Sequence, residues 1–232
     1  EMLELNFSLV KNHLRLSAAI SLESQKIYAV VGPSGAGKST FLSILSGFTE
    51  ISNGSIVWNK HEISGLPPSK RNISILFQDN NLFPHLTVWR NLALAVTQRP
   101  KISNDDRSQL RSAMSEVGIL GLENRKPSQL SGGQQSRAAL ARVLLQKNRI
   151  LLLDEPFAAL GPSLKVQMLE LIKKIATNRK LLVLMVTHDP ADAKKIASHT
   201  IVVKENTVHA PIDTKEALEP TKGPLADYLG NN

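Results

Sequence analysis

Apolar residues in this chain come in two rhythms. Unbroken short runs, "IYAVV" (27–31), "SIVW" (55–58), "ISILF" (73–77), "ILLL" (150–153) and "LLVLMV" (181–186), have the length of buried strands. Between them the spacing turns helical. "IYAVV" gives way to a glycine-rich turn and then a helix through "KSTFLSILSG". From "LTVWRNLALAV" to Val117 the pattern is helical, with Ser103 and Asp106 spaced as a capping box opening one helix. A helix follows Gln134, another runs from Pro162, and "PADAKKIA" predicts a third. The chain then closes with the short strands "TIVV" and "TVHA" and terminal helices. Strands alternating with helices predict an α/β fold. No internal repeat, low-complexity linker or sustained heptad breaks the pattern.

Composition narrows the picture. At 232 residues there is room for one large domain, or a core with a subdomain. Hydrophobic residues at 42% and charged residues at 21% are a globular balance, which argues against long disordered tracts. With no cysteine, neither a disulfide framework nor a thiolate metal site can form. No run approaches the ~20 apolar residues that cross a bilayer, and "EMLELNFSLVKN" lacks the basic-then-apolar layout of a secretory leader. The expectation is a cytosolic chain that meets a membrane only through partners. Net charge is +8, which suits nucleic acid, an anionic membrane surface or a polyphosphate ligand. The basic residues nevertheless come in pairs (Lys70–Arg71, Lys173–Lys174, Arg179–Lys180, Lys194–Lys195) rather than one block, and aromatics are too sparse for base stacking. A nucleic-acid partner is therefore not expected.

Three stretches carry chemistry. "GPSGAGKST", residues Gly32, Pro33, Ser34, Gly35, Ala36, Gly37, Lys38, Ser39 and Thr40, fits G-x-x-x-x-G-K-[ST] between a predicted strand and a predicted helix. Its glycines let the backbone curl around phosphates, whose charge then meets bare amides and a positive helix end. Lys38 would reach the β- and γ-phosphates, and the Ser39 hydroxyl would ligand Mg²⁺. "RILLLDEP" ends a buried strand in Asp154 and Glu155; the first can hold the Mg²⁺ shell and the second can deprotonate a water. The third, "LSGGQQ" (130–135), gives Ser131 and Gln134 the spacing of a capping box while Gly132 and Gly133 occupy the first helical turn. Better helix formers would stabilise that turn by up to ~1 kcal/mol each. A turn without side chains lets an anion approach closely, so it reads as a second anion-binding mouth.

Taken in order, these motifs resemble the ATP-binding subunits of ABC transporters, and the resemblance runs through nearly the whole chain. It implies a P-loop NTPase core with a β-rich N-terminal part (core about 1–84 and 134–232) and a helical subdomain at about 85–133. It adds Gln78, at a strand end in "LFQDNNLF", as a contact to Mg²⁺ and the attacking water. It also adds His188, in "VTHD", as a γ-phosphate contact that helps place the water activated by Glu155. The implied assembly is a head-to-tail dimer, with each ATP held between one copy's P-loop and the other's Ser131–Gly133 and Gln134.

Some residues depart from the family's pattern. "AALG" (158–161) stands where the family often has S-A-L-D, so an expected contact across the dimer is missing. For stacking on adenine the chain offers only Phe7 or His13. The insert between Gln78 and Leu130 is short, as suits docking on transmembrane permease subunits, with Asn80–Trp89 as the docking stretch. With 232 residues, the regulatory domain of sugar importers is not expected. "LPPSKRNISILFQDNNLFPHLTVWRNLAL" resembles bacterial importer ATPases, most of all the thiamine-import group. That implies a peripheral place on the cytoplasmic face of the inner membrane and an indirect partner, a solute-binding protein. Importers of iron, sulfate or polyamines share much of this stretch, and a nucleic-acid-associated ABC ATPase is the competing class. A metabolic P-loop kinase would leave "LSGGQ" and Gln78 without a role.

Overall fold

The structure, a computed structural model, describes residues 1–97 and 101–229. Two alternating strands open the chain. β1 (Met2–Lys11) and β2 (Leu14–Glu23) pair antiparallel from Met2 opposite Glu23 to Lys11 opposite Leu14. Leu3, Leu5, Phe7 and Leu9 point inward from β1, and Leu16, Ala18, Ile20 and Leu22 from β2, the period of two that one buried face demands. β3 (Ile27–Val31) behaves differently: residues 28 to 31 are all buried, as in a strand covered on both faces.

After β3 come α1 (Lys38–Ser46), β4 (Asn53–Trp58), β5 (His61–Glu62) and β6 (Ile73–Leu76). Next are α2 (Val88–Ala93), α3 (Asn104–Val117) and α4 (Gly132–Leu144). β7 (Ile150–Asp154), α5 (Pro162–Arg179), β8 (Leu182–Val186) and α6 (Pro190–Ile196) complete the alternating part. β9 (His199–Lys204), β10 (Thr207–Val208), β11 (Ile212–Asp213) and the short helices α7 (Thr214–Ala217) and α8 (Ala226–Leu229) close the chain. Among the described residues the strands form one sheet in the order β5-β4-β1-β2-β10-β9-β3-β8-β7-β6, with β11 beside β9. Its antiparallel half holds β1, β2, β4 and β5; β9, β3, β8, β7 and β6 run parallel. No helix among the described residues is long and apolar enough to cross a membrane.

The sheet's two halves enclose α1. Phe41, Leu42, Ile44 and Leu45 of that helix are fully buried with Leu5, Leu22 and Ile56 of the antiparallel half and Ile150, Leu152 and Leu184 of the parallel half. A second apolar cluster joins the parallel strands to α2–α5. Buried Arg71 closes the far end of α1: its Nη1 donates to the carbonyls of Ile44 and Leu45 (2.8 and 2.9 Å), Nε to Leu66 O and Nη2 to Ser64 O. Burial pushes this guanidinium's pKa down. On α3 the expected capping box is formed, with Ser103 Oγ accepting from the Asp106 amide and Asp106 returning the bond. Residues 98–100 of the long helical stretch lie outside the described residues, as do 230–232. The helix expected after Gln134 begins at Gly132, three residues sooner, because Ser131 caps it and its glycines adopt helical geometry.

Candidate active site

Three parallel strands deliver the chemistry at their C-terminal ends, where open α/β sheets hold their ligands. β3 leads into the phosphate loop, β7 ends on Asp154, and β8 ends just before Thr187 and His188. Because β7 and β8 pair with Asp154 opposite Val186, the two carboxylates and the histidine come to one edge. A cavity of about 270 Å³ there is lined by Ser34, Gly35, Gly37, Lys38, Ser39, Thr40, Glu155, His188 and Leu14.

The loop's glycines have separate reasons. A Cβ on Gly32 would stand 2.0 Å from the Val203 carbonyl oxygen, so only glycine lets β9 pass this closely. Gly37 caps α1 at φ 102°, a conformation side chains rarely adopt. Lys38 is buried, and its ammonium donates to the carbonyls of Gly32 and Pro33 at 2.8 Å each. Burial pulls its pKa down, partly offset by the negative charges of Glu155 and Asp154. Pro33 and Ala36 belong to the same turn, tied by the Ala36 amide to the Pro33 carbonyl.

Opposite the loop, Ser39 Oγ donates to Asp154 Oδ1 at 3.3 Å, which brings together the two oxygen donors expected around Mg²⁺. Glu155 adopts a left-handed backbone, φ 47°, and its amide donates to Val186 O. Its Oε1 lies 2.5 Å from His188 Nε2. Such strain in a non-glycine residue at a cleft is a common mark of function. The His188 loop is anchored from α5: Lys165 Nζ reaches Asp189 at 2.9 Å and Asp192 at 3.1 Å, and Asp189 caps α6 through the Ala191 amide.

Gln78 is exposed two residues past Leu76, which pairs with Leu153 immediately before Asp154. It therefore stands beside the Asp154 edge without lining the cavity. The 131–134 mouth also lies outside the cavity's walls. There the cap is made, Ser131 Oγ accepting from the Gln134 amide and Gln134 Oε1 from the Ser131 amide. The amides of Gly132 and Gly133, in a first turn, have no acceptor within the helix. A Cβ on Gly132 would meet Leu160 at 3.4 Å and one on Gly133 would meet Leu164 at 3.3 Å, so the glycines also admit neighbouring side chains.

These motifs and this sheet have known counterparts. The ABC transporter family model matches residues 17–158. The chain belongs to the ABC transporter family. Among curated relatives, the thiamine import ATP-binding protein ThiQ of Ruegeria sp. (strain TM1040) is 46% identical over 220 residues, 95% of each chain. ThiQ of Cereibacter sphaeroides is 48% identical over 202 residues, 87% of each chain. Among solved structures, the dimeric ABC transporter cassette MJ0796 aligns at TM-score 0.77 and 26% identity, covering 92% of this chain and 99% of that one. The same cassette in a post-hydrolysis state with ADP and Pi aligns at TM-score 0.76 and 25% identity, with the same coverage.

Set beside the ABC pattern, one expectation changes. Phe7 is buried in the core of the β1–β2 hairpin and cannot stack on a base. His13 is exposed at the hairpin turn, outside the walls of the phosphate cavity; its neighbour Leu14 is the one that lines them. Where the family often has aspartate, Gly161 caps α5 with no side-chain bond, ahead of Pro162. Motif reading passed over Lys165 and Leu14, since neither carries a sequence signature of its own.

Proposed function

We infer that this chain is the ATP-hydrolysing subunit of an importer for thiamine or its phosphates. The likeness to ThiQ proteins over 95% of both chains carries that reading. In it, ATP lies with its phosphates in the 32–40 loop, where amides and the start of α1 meet the negative charge. Lys38 exchanges its two loop carbonyls for phosphate oxygens. Mg²⁺ binds hard oxygen donors and keeps several waters, and the converging Ser39 hydroxyl and Asp154 carboxylate fit it. The Gln78 amide oxygen would join them from the neighbouring strand end. Bound there, the ion neutralises phosphate charge. Glu155 accepts the proton of the attacking water, and His188 turns from Glu155 toward the γ-phosphate, holding that water in line.

The mouth at Ser131, Gly132, Gly133 and Gln134 lies away from its own chain's phosphate loop, which supports its serving a second copy. That the MJ0796 cassette is dimeric supports the pairing of two copies. Asn80–Trp89, where Phe83 stands 44% exposed, is the surface offered to permease subunits, with a solute-binding protein beyond them. In this reading the chain would sit peripherally on the cytoplasmic face of the inner membrane.

The test is uptake of labelled thiamine by host cells in which the wild-type chain is replaced by the Glu155→Gln variant. Loss of uptake with the variant, and its return with the wild type, supports the reading. Unchanged thiamine uptake, with loss of iron, sulfate or polyamine uptake instead, replaces the solute. Co-purification with DNA or ribosomes and no membrane protein would remove the importer altogether.

A further inference from the structure

His188 stands in a loop that packing alone does not hold. Behind the Glu155–His188 pair lies a cavity of about 180 Å³, lined by both residues and by Phe157, Leu169 and Met185. On its other side the imidazole is exposed. A loop that borders open space on two sides lacks the close packing that fixes side chains in a core. Bonds hold it instead. The Thr187 amide donates to Val30 O at 3.3 Å, and Thr187 Oγ1 accepts from the Asp189 amide at 3.0 Å, which closes a turn around His188. Asp189 Oδ1 then accepts from the Ala191 amide where α6 begins.

Lys165 ties this turn to a second element. It sits in the first turn of α5, where its amide donates to Gly161 O at 3.0 Å. Its ammonium reaches Asp189 Oδ2 at 2.9 Å, one residue past His188, and Asp192 Oδ2 at 3.1 Å on α6. Lys165, Asp189 and Asp192 all line the cavity behind the pair. The bond to Asp189 pushes the pKa of the lysine up, so the cation persists at neutral pH. Thr187 Oγ1 lies 3.5 Å from Asp192 Oδ2, so the cluster closes on the turn it started from. Without the ammonium, two negative carboxylates would share one cavity and repel each other.

We propose that Lys165 is a positioning residue for hydrolysis: by fastening Asp189 and Asp192 to α5, it keeps the His188 imidazole opposite Glu155 and out of the cavity behind them. The role of His188 rests on the nucleotide-site reading above, but the fastening itself is measurable without nucleotide. Lys165 lies outside the walls of the phosphate cavity, so it acts on the rate and not on ATP affinity. An arginine at this position keeps the charge and spreads its N–H groups over two carboxylates. A methionine keeps the bulk and loses the charge.

Ring NMR signals of isotope-labelled histidine read the loop directly, with the His188 signal identified by its loss in His188→Ala. The wild type should give one sharp His188 signal, Lys165→Met a broadened or split one, and Lys165→Arg the wild-type signal. In phosphate-release assays Lys165→Met should lower kcat by about 10- to 100-fold, the cost of displacing a group by about 1 Å from productive geometry, with KM for ATP unchanged. Lys165→Arg should recover most of that loss. Every assay is run well below the variant's Tm, so that lost stability alone moves neither the signal nor kcat. Should Lys165→Met fail to fold, Lys165→Gln, polar but uncharged, takes its place. A sharp, unshifted His188 signal in the folded variant would overturn the proposal, as would a raised KM with kcat intact, or an arginine variant as slow as the methionine one. A wild-type chain with no ATPase activity would instead sink the nucleotide-site reading and leave the His188 signal to judge Lys165.

Discussion

His188 holds Glu155 by its carboxylate, Nε2 to Oε1 at 2.5 Å, across the edge where β7 and β8 end. In the proposed function, the residue assigned to the attacking water is thereby occupied by the residue assigned to the γ-phosphate. Nucleotide would separate them by giving the imidazole a more negative partner. Removing either should therefore spare binding and stop turnover. Glu155→Gln is expected to lower kcat by about 10²- to 10⁴-fold, the usual share of a general base, with ATP affinity kept. Fluorescent-ATP titration and phosphate release measure the two; turnover within a few-fold of wild type would assign the water to another group.

Lys38 is expected to act on affinity instead. Lys38→Ala removes a charged donor that binds the carbonyls of Gly32 and Pro33 and that, in the proposed function, would bind phosphate. ATP affinity should fall by about 10- to 150-fold, the size of a lost charged hydrogen bond. Calorimetric titration checks it, and an unchanged Kd removes Lys38 from the phosphate site.

The mouth can be separated from the fold. Gly133→Ala puts its new Cβ against the end of the exposed, flexible Leu164 side chain, which has space to move. Alanine also favours the helix by up to about 1 kcal/mol over glycine. The melting temperature should hold or rise while ATP-driven dimerisation, followed by gel filtration in a Glu155→Gln background, is lost. Dimers of wild-type stability would mean that the mouth's glycines serve only packing.

Acid should act through the anchor of the His188 loop. The hydrogen bond from Lys165 holds Asp189 below the usual carboxylate range, whereas burial lifts Asp192 above it. A lowered carboxylate stabilises the fold above its unfolded pKa, and that contribution disappears as pH falls through the folded value. The raised Asp192 has the opposite sign: it favours the fold below its unfolded pKa and loses that contribution as pH rises through the folded one. At neutral pH, Asp189→Asn should lower Tm by about 2–4 °C, and Asp192→Asn should leave it equal or higher. Melts taken at falling pH should bring Asp189→Asn and wild type together. A neutral-pH loss in Asp192→Asn as large as in Asp189→Asn would mean that its bonds to Lys165 and Thr187 outweigh its burial.

Much of this was readable from the chain, for physical reasons. The P-loop and "LLLDEP" announce themselves because phosphate binding and a carboxylate at a strand end need fixed residue types at fixed spacing. Phe7 shows a pattern passed over. The alternation Leu3, Leu5, Phe7, Leu9 puts it on the inner face of β1, so its burial follows from the same rhythm that makes the strand. Arg71, Arg142 and Lys165 were silent for another reason. Each acts on partners tens of residues away, Arg142 on Asn81 at a separation of 61 and Arg71 on Ile44 at 27. The bonds of the two arginines go to backbone carbonyls, which carry no residue-specific signal, and those of Lys165 go to two carboxylates on another element.

Helix α1 starts at the phosphate loop and ends on Arg71. Its aligned peptide dipoles leave about half a positive charge at the first end and half a negative charge at the second. A cation fixed on the carbonyl end and an anion drawn to the amide end make the helix a charged rod whose two poles are both answered. Arg71 thus completes at the carbonyl end of α1 the charge pattern that an anion at the 32–40 loop would complete at the amide end.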